Sequence, residues 1–423
     1  MSDDCCPSYD PRLREIASAQ AAALVPRALS ADGANNDTLE SQLQLRKISR
    51  RGALRLAGLS GAATVFGVQL AGCEALASAD SGKAPVFDRH RIGKVHTLPS
   101  NADTVRVGAM DPDVPAVLTI DSGDVVHYPD TWVNWGNEAK YGMDFATREP
   151  IRKRYPQGPY SLIGPVAVRD AQPGDVIECR MLRLNPIDWG WNSAPKGVGA
   201  LPADFSEPYL RYLRFDAQRR FADFGKGVRI PLAPLQGVMA TQPAGDKPVS
   251  AILTGRYGGN IVLRELTEGT ALFLPVEVAG GRLWTGDSHA AQGDGVVDQT
   301  AIETAMQDLR IQYVLHKHVD LTAPLAETPS HWIVLGFGDS IEDALTASLR
   351  QTISWLSAAA GLAKSDVYAL CSISGSFRIT QYAHQTNTVY ATMPAKTVHG
   401  MIPKNIFSPE LQRQIASSIR RSS

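Results

Sequence analysis

Short apolar runs separated by turn residues fill most of the chain from about residue 91 onwards. The apolar run 117–120 is followed by the turn DSGD and by a second apolar run at 125–128. The arrangement recurs at 166–168, the turn AQPGD and 176–181, and a variant with the turn TEG lies within 263–275. Apolar runs of this length, bounded by Gly, Pro and Asp, predict short β-strands joined by tight turns. The chain is therefore expected to be rich in β-structure.

Residues 341–360 carry the clearest helical pattern. Ser340 precedes the segment as an N-cap, and Gly361 follows it as a C-terminal stop. Acidic residues in the first turn complement the helix dipole, so we predict a helix over the whole segment. The apolar positions that recur at helical spacing are Leu345, Leu349, Ile353 and Leu356.

Four other segments carry weaker patterns. Residues 300–308 are expected to begin a helix, and residues 209–223 to form a short helix or a loop. Residues 367–373 and 377–382 are predicted as strands. The pattern as a whole predicts a mainly β (α+β) fold with a few helices packed on the sheets.

The first eighty residues have the character of a targeting segment. The sequence SRRGALR at 49–55 is similar to a twin-arginine export motif, and an uncharged apolar run follows at 56–72. A charged region, an apolar region and small residues then follow in the order of a signal peptide. We therefore predict that residues 1–83 are an N-terminal extension, a twin-arginine signal and a linker, and that residues 84–423 form the folded domain.

Two cleavage sites compete at the end of this segment. The sequence LAGC at 70–73 resembles a bacterial lipobox, in which Cys73 is lipidated, whereas ASA at 77–79 suits an ordinary signal peptidase. The first site directly ends the apolar run, which favours lipidation. A lipid on Cys73 would anchor the protein to a membrane without spanning it. We predict an exported protein that is either periplasmic or a membrane-anchored lipoprotein.

Composition and charge exclude some classes of function. The chain has 42 Lys and Arg against 43 Asp and Glu, a net charge of -1, so nothing in its charge favours nucleic acid as a partner. Its cysteines have no C-x-x-C spacing of a zinc or redox motif. Cys179 and Cys371 are expected to be buried small hydrophobic residues more readily than a disulfide.

Several motifs carry a family resemblance. They are GPVAV at 164–168, GGN at 258–260, LTEGTALFLPV at 266–276 and GDSHAAQGDG at 286–295. In order and spacing they resemble the acetamidase/formamidase family, over roughly residues 96–407. The resemblance implies two related β-sandwich-like subdomains with added helices. It also implies hydrolysis of the carbon–nitrogen bond of a small linear amide, with release of ammonia and a carboxylic acid.

The chain departs from the family pattern at four positions. Tyr160 stands where a His is usual, Val262 where an acidic residue is usual, and Val296 where a Glu is usual. Ser376 replaces an Asp. These losses of polar groups indicate a divergent subfamily. They also leave open a second hypothesis, a lipid-anchored, non-catalytic protein that reuses the fold to bind a small molecule.

Asp287 and His289 are the central candidates for chemistry. Two residues apart on a strand, they would share one face, where they could bind a metal or act as an oriented base. Asn260 would donate to the oxyanion, and Asp294 or Glu303 would handle the proton. Alternatively, the Asp294 segment is only a hairpin turn and Glu303 only a surface ion-pair residue.

The remaining assignments concern ligands and partners. We assign substrate binding to Asp130, Gly259 and Gln292, of which Asp130 matches an acidic position of the family. A divalent metal, zinc or calcium, is expected on Asp287 and His289, and no organic cofactor is expected. The expected partners are a small amide, a membrane through the lipid anchor, and other copies of the chain in a homo-oligomer.

Overall fold

The computed structural model describes residues 86–87, 92–319, 321–382 and 390–420. Strands make up 37% of the structure and helices 17%, so the predicted mainly β class with added helices is confirmed. The predicted signal and linker at 1–83 lie outside the described residues, and the domain boundary there stays a prediction.

The strands are short, and most follow the predicted apolar runs. They are β1 (Val95–Thr97), β2 (Val105–Val107), β3 (Ala109–Met110), β4 (Leu118–Ile120), β5 (Val125–Tyr128), β6 (Ser161–Val168), β7 (Val176–Pro186), β8 (Trp189–Ala194), β9 (Tyr209–Arg214), β10 (Phe221–Gly225), β11 (Val228–Pro231), β12 (Leu235–Ala240), β13 (Val249–Ser250), β14 (Thr254–Gly255), β15 (Gly258–Asn260), β16 (Ala271–Pro275), β17 (Leu283–His289), β18 (Met306–His316), β19 (Leu325–Glu327), β20 (His331–Gly338), β21 (Ser376–Gln381) and β22 (Lys396–Pro403).

Helices occupy two stretches of the described chain, one before β6 and one after β20. The helices are α1 (Asn134–Asn137), α2 (Phe145–Lys153), α3 (Ile341–Ala360), α4 (Lys364–Ile373) and α5 (Pro409–Ser418), with a 3-10 turn at Lys404–Ile406. No helix in the described part of the chain is both long and apolar enough to cross a membrane.

Two large sheets form the frame. The nine-stranded sheet has the order β1-β5-β18-β7-β16-β19-β20-β22-β21, and the seven-stranded sheet has the order β14-β15-β12-β17-β6-β2 with β4 beside β6. The largest hydrophobic cluster combines side chains of both sheets, such as Ile163 and Val166 from β6 with Ile177 and Ile311 from β7 and β18. The main core therefore joins the two sheets.

The two predicted strand–turn–strand units contain the expected strands, but they are not hairpins. β4 pairs with β6 in one sheet, whereas β5 pairs with β18 in the other. The chain changes sheet in the same way between β6 and β7. At each turn a glycine, Gly123 or Gly174, has a positive φ. The buried carboxylate of the next residue, Asp124 or Asp175, accepts backbone N–H groups and fixes the crossing.

Helix α3 has the predicted bounds, with the Ser340 cap and a left-handed Gly361. Its buried stripe differs in part, because Leu345, Leu349 and Ile353 are only half-buried, whereas Leu356 is buried as predicted. A Cβ on Gly336 of β20 would lie 2.3 Å from the carbonyl oxygen of Ala344, so helix and sheet are very close. Small side chains are required at such a contact. The buried positions are Ala344, Ser348, Thr352, Leu356, Ala359 and Ala360.

Three weaker predictions are wrong. Residues 367–373 belong to helix α4, because Val367 and Cys371, four apart, both pack into the cluster beneath α3. Residues 209–223 contain strand β9 and the start of β10. No helix begins at 300–308, where the chain enters strand β18. In each case tertiary pairing overrides a weak local pattern. Cys179 and Cys371 are buried free thiols, as expected.

Candidate active site

Strand β17 brings Asp287 and His289 to one buried face, as predicted. Oδ2 of Asp287 lies 3.2 Å from Nε2 of His289. Glu303 reaches the same point because its backbone forms isolated bridges with His289 and with Trp191. Its Oε1 lies 3.3 Å from the same Nε2. The three side chains are almost completely buried.

The backbone around Asp287 is specialised. Asp287 has a φ of 55°, in the left-handed region that non-glycine residues rarely adopt. Gly237 of β12 faces it, and a Cβ there would lie 2.3 Å from Oδ2 of Asp287. Glycine is therefore required at 237. A strained residue held by its surroundings is a feature of functional sites.

Hydrogen bonding fixes the His289 ring. The side-chain amide of Gln292 donates to the Val262 carbonyl, which turns its oxygen towards Nδ1 of His289, 2.8 Å away. Nδ1 therefore carries a hydrogen, and Nε2 is the ring nitrogen that faces the carboxylates. Within the described ranges, Nε2 and both carboxylate oxygens of Asp287 are buried without a hydrogen-bond partner. A bound cation would satisfy these atoms.

The donor set fits a divalent metal ion. One imidazole nitrogen and oxygens from Asp287 and Glu303 lie within 4.8 Å of one another. A buried carboxylate without donors costs several kcal/mol unless a cation compensates it. The Gln292 contact supplies the outer hydrogen bond that ligating histidines usually have.

The titration of the cluster is consistent with this interpretation. Burial raises the pKa of Asp287 to about 6, and the charge of Glu303 also raises it. Burial would lower the pKa of His289, but the two carboxylates hold it well above its usual value. Burial would raise the pKa of Glu303, but His289 holds it below its usual range. A proton and a metal ion would compete for Nε2 of His289.

A cavity of about 340 Å³ opens beside the cluster, and Glu303 is the cluster member that lines it. Asn134 also lines it, and its amide donates to Oε2 of Glu303 over 3.4 Å. Burial, with the charges of Asp287 and Glu303, raises the pKa of the Tyr160 hydroxyl well above its usual value. Tyr160 therefore stays protonated, as a donor that faces the cavity. The aromatic lining consists of Trp135, Phe145, Tyr160, Trp191 and Tyr390.

Not all of the other predicted site residues reach the cluster of Asp287, His289 and Glu303. Asn260 is fully buried, with Nδ2 donating to the Ile252 carbonyl, and its side chain hydrogen-bonds Tyr160. Gly259 precedes it with a φ of 95°. Gln292 orients His289, as described above. Asp130 accepts the Ser100 N–H at 3.3 Å and is outside the cavity lining.

Asp294 belongs to a second cluster, with Glu265 and His399. Its Oδ2 lies 3.7 Å from Arg264 and 3.7 Å from Arg378. The structure thus separates Asp294 from the Asp287 cluster, and its catalytic role stays a prediction. Cys73 lies outside the described residues.

Three residues of the site escaped the sequence reasoning: Asn134, Tyr160 and Arg148, a buried arginine in the cavity wall. Tyr160 was noted only as the loss of a family His, although its hydroxyl supplies a polar group there. No pattern around Asn134 or Arg148 signals a site, because both reach the cavity through tertiary contacts.

The family model described as the Acetamidase/Formamidase family matches residues 99–249 and 246–408. These ranges cover every strand of the two large sheets except β1, together with Asp287, His289 and Glu303. The chain belongs to this family. The resemblance of the motif at 286–295 is thereby confirmed.

Individual relatives are distant. A formamidase of Methylophilus methylotrophus is 24% identical over 239 residues, 44% of this chain and 58% of the relative. An acetamidase of Mycolicibacterium smegmatis is 22% identical over 247 residues, 44% of this chain and 60% of the relative. The matched region thus spans less than two thirds of these relatives.

The solved structures agree on the fold. The acetamidase of Yersinia enterocolitica is 25% identical with a TM-score of 0.66, covering 77% of this chain and 96% of that one. The acetamidase of Bacillus halodurans has a TM-score of 0.63 at 23% identity, covering 74% and 98%. The two-sheet frame is therefore shared across most of those chains.

Proposed function

We propose that this chain hydrolyses a small linear amide to a carboxylic acid and ammonia. The observation that carries the proposal is the buried cluster of Asp287, His289 and Glu303, with unsatisfied ligand atoms, beside a cavity. Relatives named formamidase and acetamidase support the reaction class. Within the described residues, nothing favours the alternative of a non-catalytic binding protein.

We propose zinc rather than calcium as the metal. Calcium takes six to eight oxygen ligands, whereas three protein ligands that include an imidazole, with one position left open, suit a catalytic zinc ion. Asp287, His289 and Glu303 would hold the ion. When bound, it would act as a Lewis acid and lower the pKa of a water.

The protein groups supply the rest of the chemistry. Oε1 of Glu303 faces the cluster, whereas Oε2 lies beside Asn134 in the cavity wall. Oε2 is therefore placed to take a proton from the attacking water and pass it to the leaving nitrogen. Asn134 fixes the orientation of Glu303. The Tyr160 hydroxyl, which the Asn260 side chain holds by a hydrogen bond, would donate to the developing oxyanion. Asp294 is less suited to the proton step because its carboxylate faces two arginines.

Ammonia release from formamide, acetamide and longer linear amides tests the reaction. We expect turnover by the folded wild-type protein and a large loss in Glu303→Gln, which keeps the shape but removes the base. Absence of turnover with every amide, in protein with a normal melting transition, would overturn the proposal. Metal analysis of the wild-type protein should find about one zinc per chain.

We also propose that the chain is exported by the twin-arginine route and lipidated at Cys73, as a homo-oligomer. The support is the motif at 49–55 and the sequence LAGC at 70–73. Cell fractionation should find the protein with membranes, and Cys73→Ser should release it to the soluble exported fraction. Unchanged membrane association would contradict lipidation. Sedimentation of the purified chain tests the oligomer.

A further inference from the structure

Arg148 has an unusual position in the cavity wall. It lies on α2, is only 3% exposed, and lines the same cavity as Glu303. Its guanidinium carbon lies 4.8 Å from the ring centre of Trp191, 5.2 Å from that of Tyr212 and 5.7 Å from that of Trp135. Three aromatic faces therefore hold one buried cation in place.

The charge of Arg148 is poorly compensated. No ion pair to a carboxylate is found for it among the described residues. Its Nη2 donates to the Tyr212 hydroxyl at 2.8 Å, and its buried Nε has no hydrogen-bond partner there. By contrast, Arg152 and Arg154, near the end of the same helix, each pair with a glutamate.

A buried, unpaired cation is costly, and the cost is tolerated where a ligand supplies the missing charge. A guanidinium fork is well suited to a carboxylate. Burial lowers the pKa of Arg148, and Tyr212 and the charge of Glu303 offset that effect only in part. Glu303 is committed to His289, so a carboxylate on a bound ligand is the natural partner for Arg148.

The size of the cavity supports the same interpretation. Its volume of about 340 Å³ is within the range of about 300–1,000 Å³ of sites for drug-sized ligands, far larger than acetamide. The ring of Trp191 contacts the guanidinium of Arg148, and the backbone of Trp191 forms a bridge with that of Glu303. The aromatic side chains of the cavity would therefore cover the body of a longer substrate that reaches both residues.

We propose that Arg148 binds a carboxylate of the substrate, so that the preferred amide is the half-amide of a dicarboxylic acid. The carboxamide would lie at Glu303 and the free carboxylate at Arg148. This inference rests on the proposed function and specifies its substrate class.

The kinetic test compares succinamate and glutaramate with neutral amides of the same chain length. Wild-type kcat/KM should favour the half-amides, and Arg148→Met should reduce that ratio by about 10- to 100-fold, the worth of a hydrogen bond to a charged group. Arg148→Lys should keep part of the preference, and Arg154→Met, which removes a paired arginine of the same helix outside the cavity, should keep all of it. A wild-type enzyme without preference would overturn the inference.

A binding test separates this inference from the reaction itself. Calorimetry with succinate and glutarate, the products, needs no turnover. Binding that is lost in Arg148→Met without hydrolysis of any amide would sustain the anion site and contradict the proposed function. Hydrolysis of neutral amides without binding of succinate or glutarate would support the proposed function and contradict the anion site. Should Arg148→Met fail to fold, the wild-type substrate ratio and dicarboxylate binding decide.

Discussion

Two buried glutamate–histidine pairs in this chain differ in how their charge is compensated. Glu178 accepts from His316 at 2.9 Å and also pairs with Arg180 at 2.9 Å and Arg420 at 2.8 Å. Glu303 shares His289 with a second carboxylate, and no arginine pairs with either in the described chain. Burial of charge is common to both. Only the second cluster has excess negative charge, and both carboxylate oxygens of Asp287 lack a hydrogen-bond partner, whereas those of Glu178 have partners.

The difference shows which observation identifies a site. A buried carboxylate enclosed by cations has no free ligand atoms, so it ties elements together, here β7 and β18 with the residue Arg420 after α5. A cluster whose carboxylates outnumber its cations is incomplete without a metal or a proton. We therefore expect changes in one cluster to alter chemistry and changes in the other to alter stability.

The largest expected effect is the loss of activity in His289→Ala. Removal of the shared nitrogen should lower amide turnover by roughly 100- to 10,000-fold, the range for lost acid–base groups, and should release the metal. Metal analysis and ammonia assays check this. The matched change His316→Ala should keep the metal. Equal metal loss in both variants would remove the distinction between the clusters.

Glu178→Gln should destabilise the fold by about 3–5 kcal/mol, because it removes the buried negative charge that Arg180 and Arg420 share and leaves Arg420 with Glu327 alone. Urea unfolding measures this. Glu303→Gln, the same change in the other cluster, should cost little when a chelator is present, since it relieves repulsion with Asp287. A larger loss of unfolding free energy in Glu303→Gln than in Glu178→Gln would contradict the distinction between the two clusters.

Gln292→Ala should weaken metal binding by about 10- to 100-fold, as outer-shell changes at metal sites do. Competition with a chromophoric chelator gives the affinity. Gln292→Glu should retain more of it, because a carboxylate can still accept the Nδ1 hydrogen of His289. Equal affinity in both variants would show that the amide contact does not orient the ring.

The smallest effect concerns acid stability. Burial would raise the pKa of Glu178, but His316, Arg420 and Arg180 hold it well below its usual range. Its contribution to stability is therefore present above the unfolded pKa of about 4.3 and is lost progressively as the pH falls below that value. Urea midpoints between pH 6 and pH 3 should fall less steeply for Glu178→Gln than for the wild type. Parallel curves would contradict this assignment.

The sequence was sufficient to predict those site residues that lie close together along the chain. Asp287 and His289 share a face because strand geometry requires it, and the family motif identified their segment. Glu303 was found through the same resemblance. The helix at 341–360 followed from its caps and periodicity, although its buried face depends on how closely Gly336 approaches.

Contacts between distant segments could not be predicted. His316 is buried against Glu178, which lies on another strand, and nothing in the sequence around it predicts that contact. Tyr160, just before β6, and Arg148, on α2, line the cavity far along the chain from the motif at 286–295. Which polar residue turns inward depends on the fold as a whole, and one strand's pattern does not contain that information.

The two Gly-Asp crossings also bear on how the chain folds. Each turn places successive strands in different sheets. The antiparallel partner of β5 is therefore β18, a strand far along the chain, where Val125 pairs with Gln312. Such remote pairing makes folding slow and leaves unpaired edges exposed in the meantime.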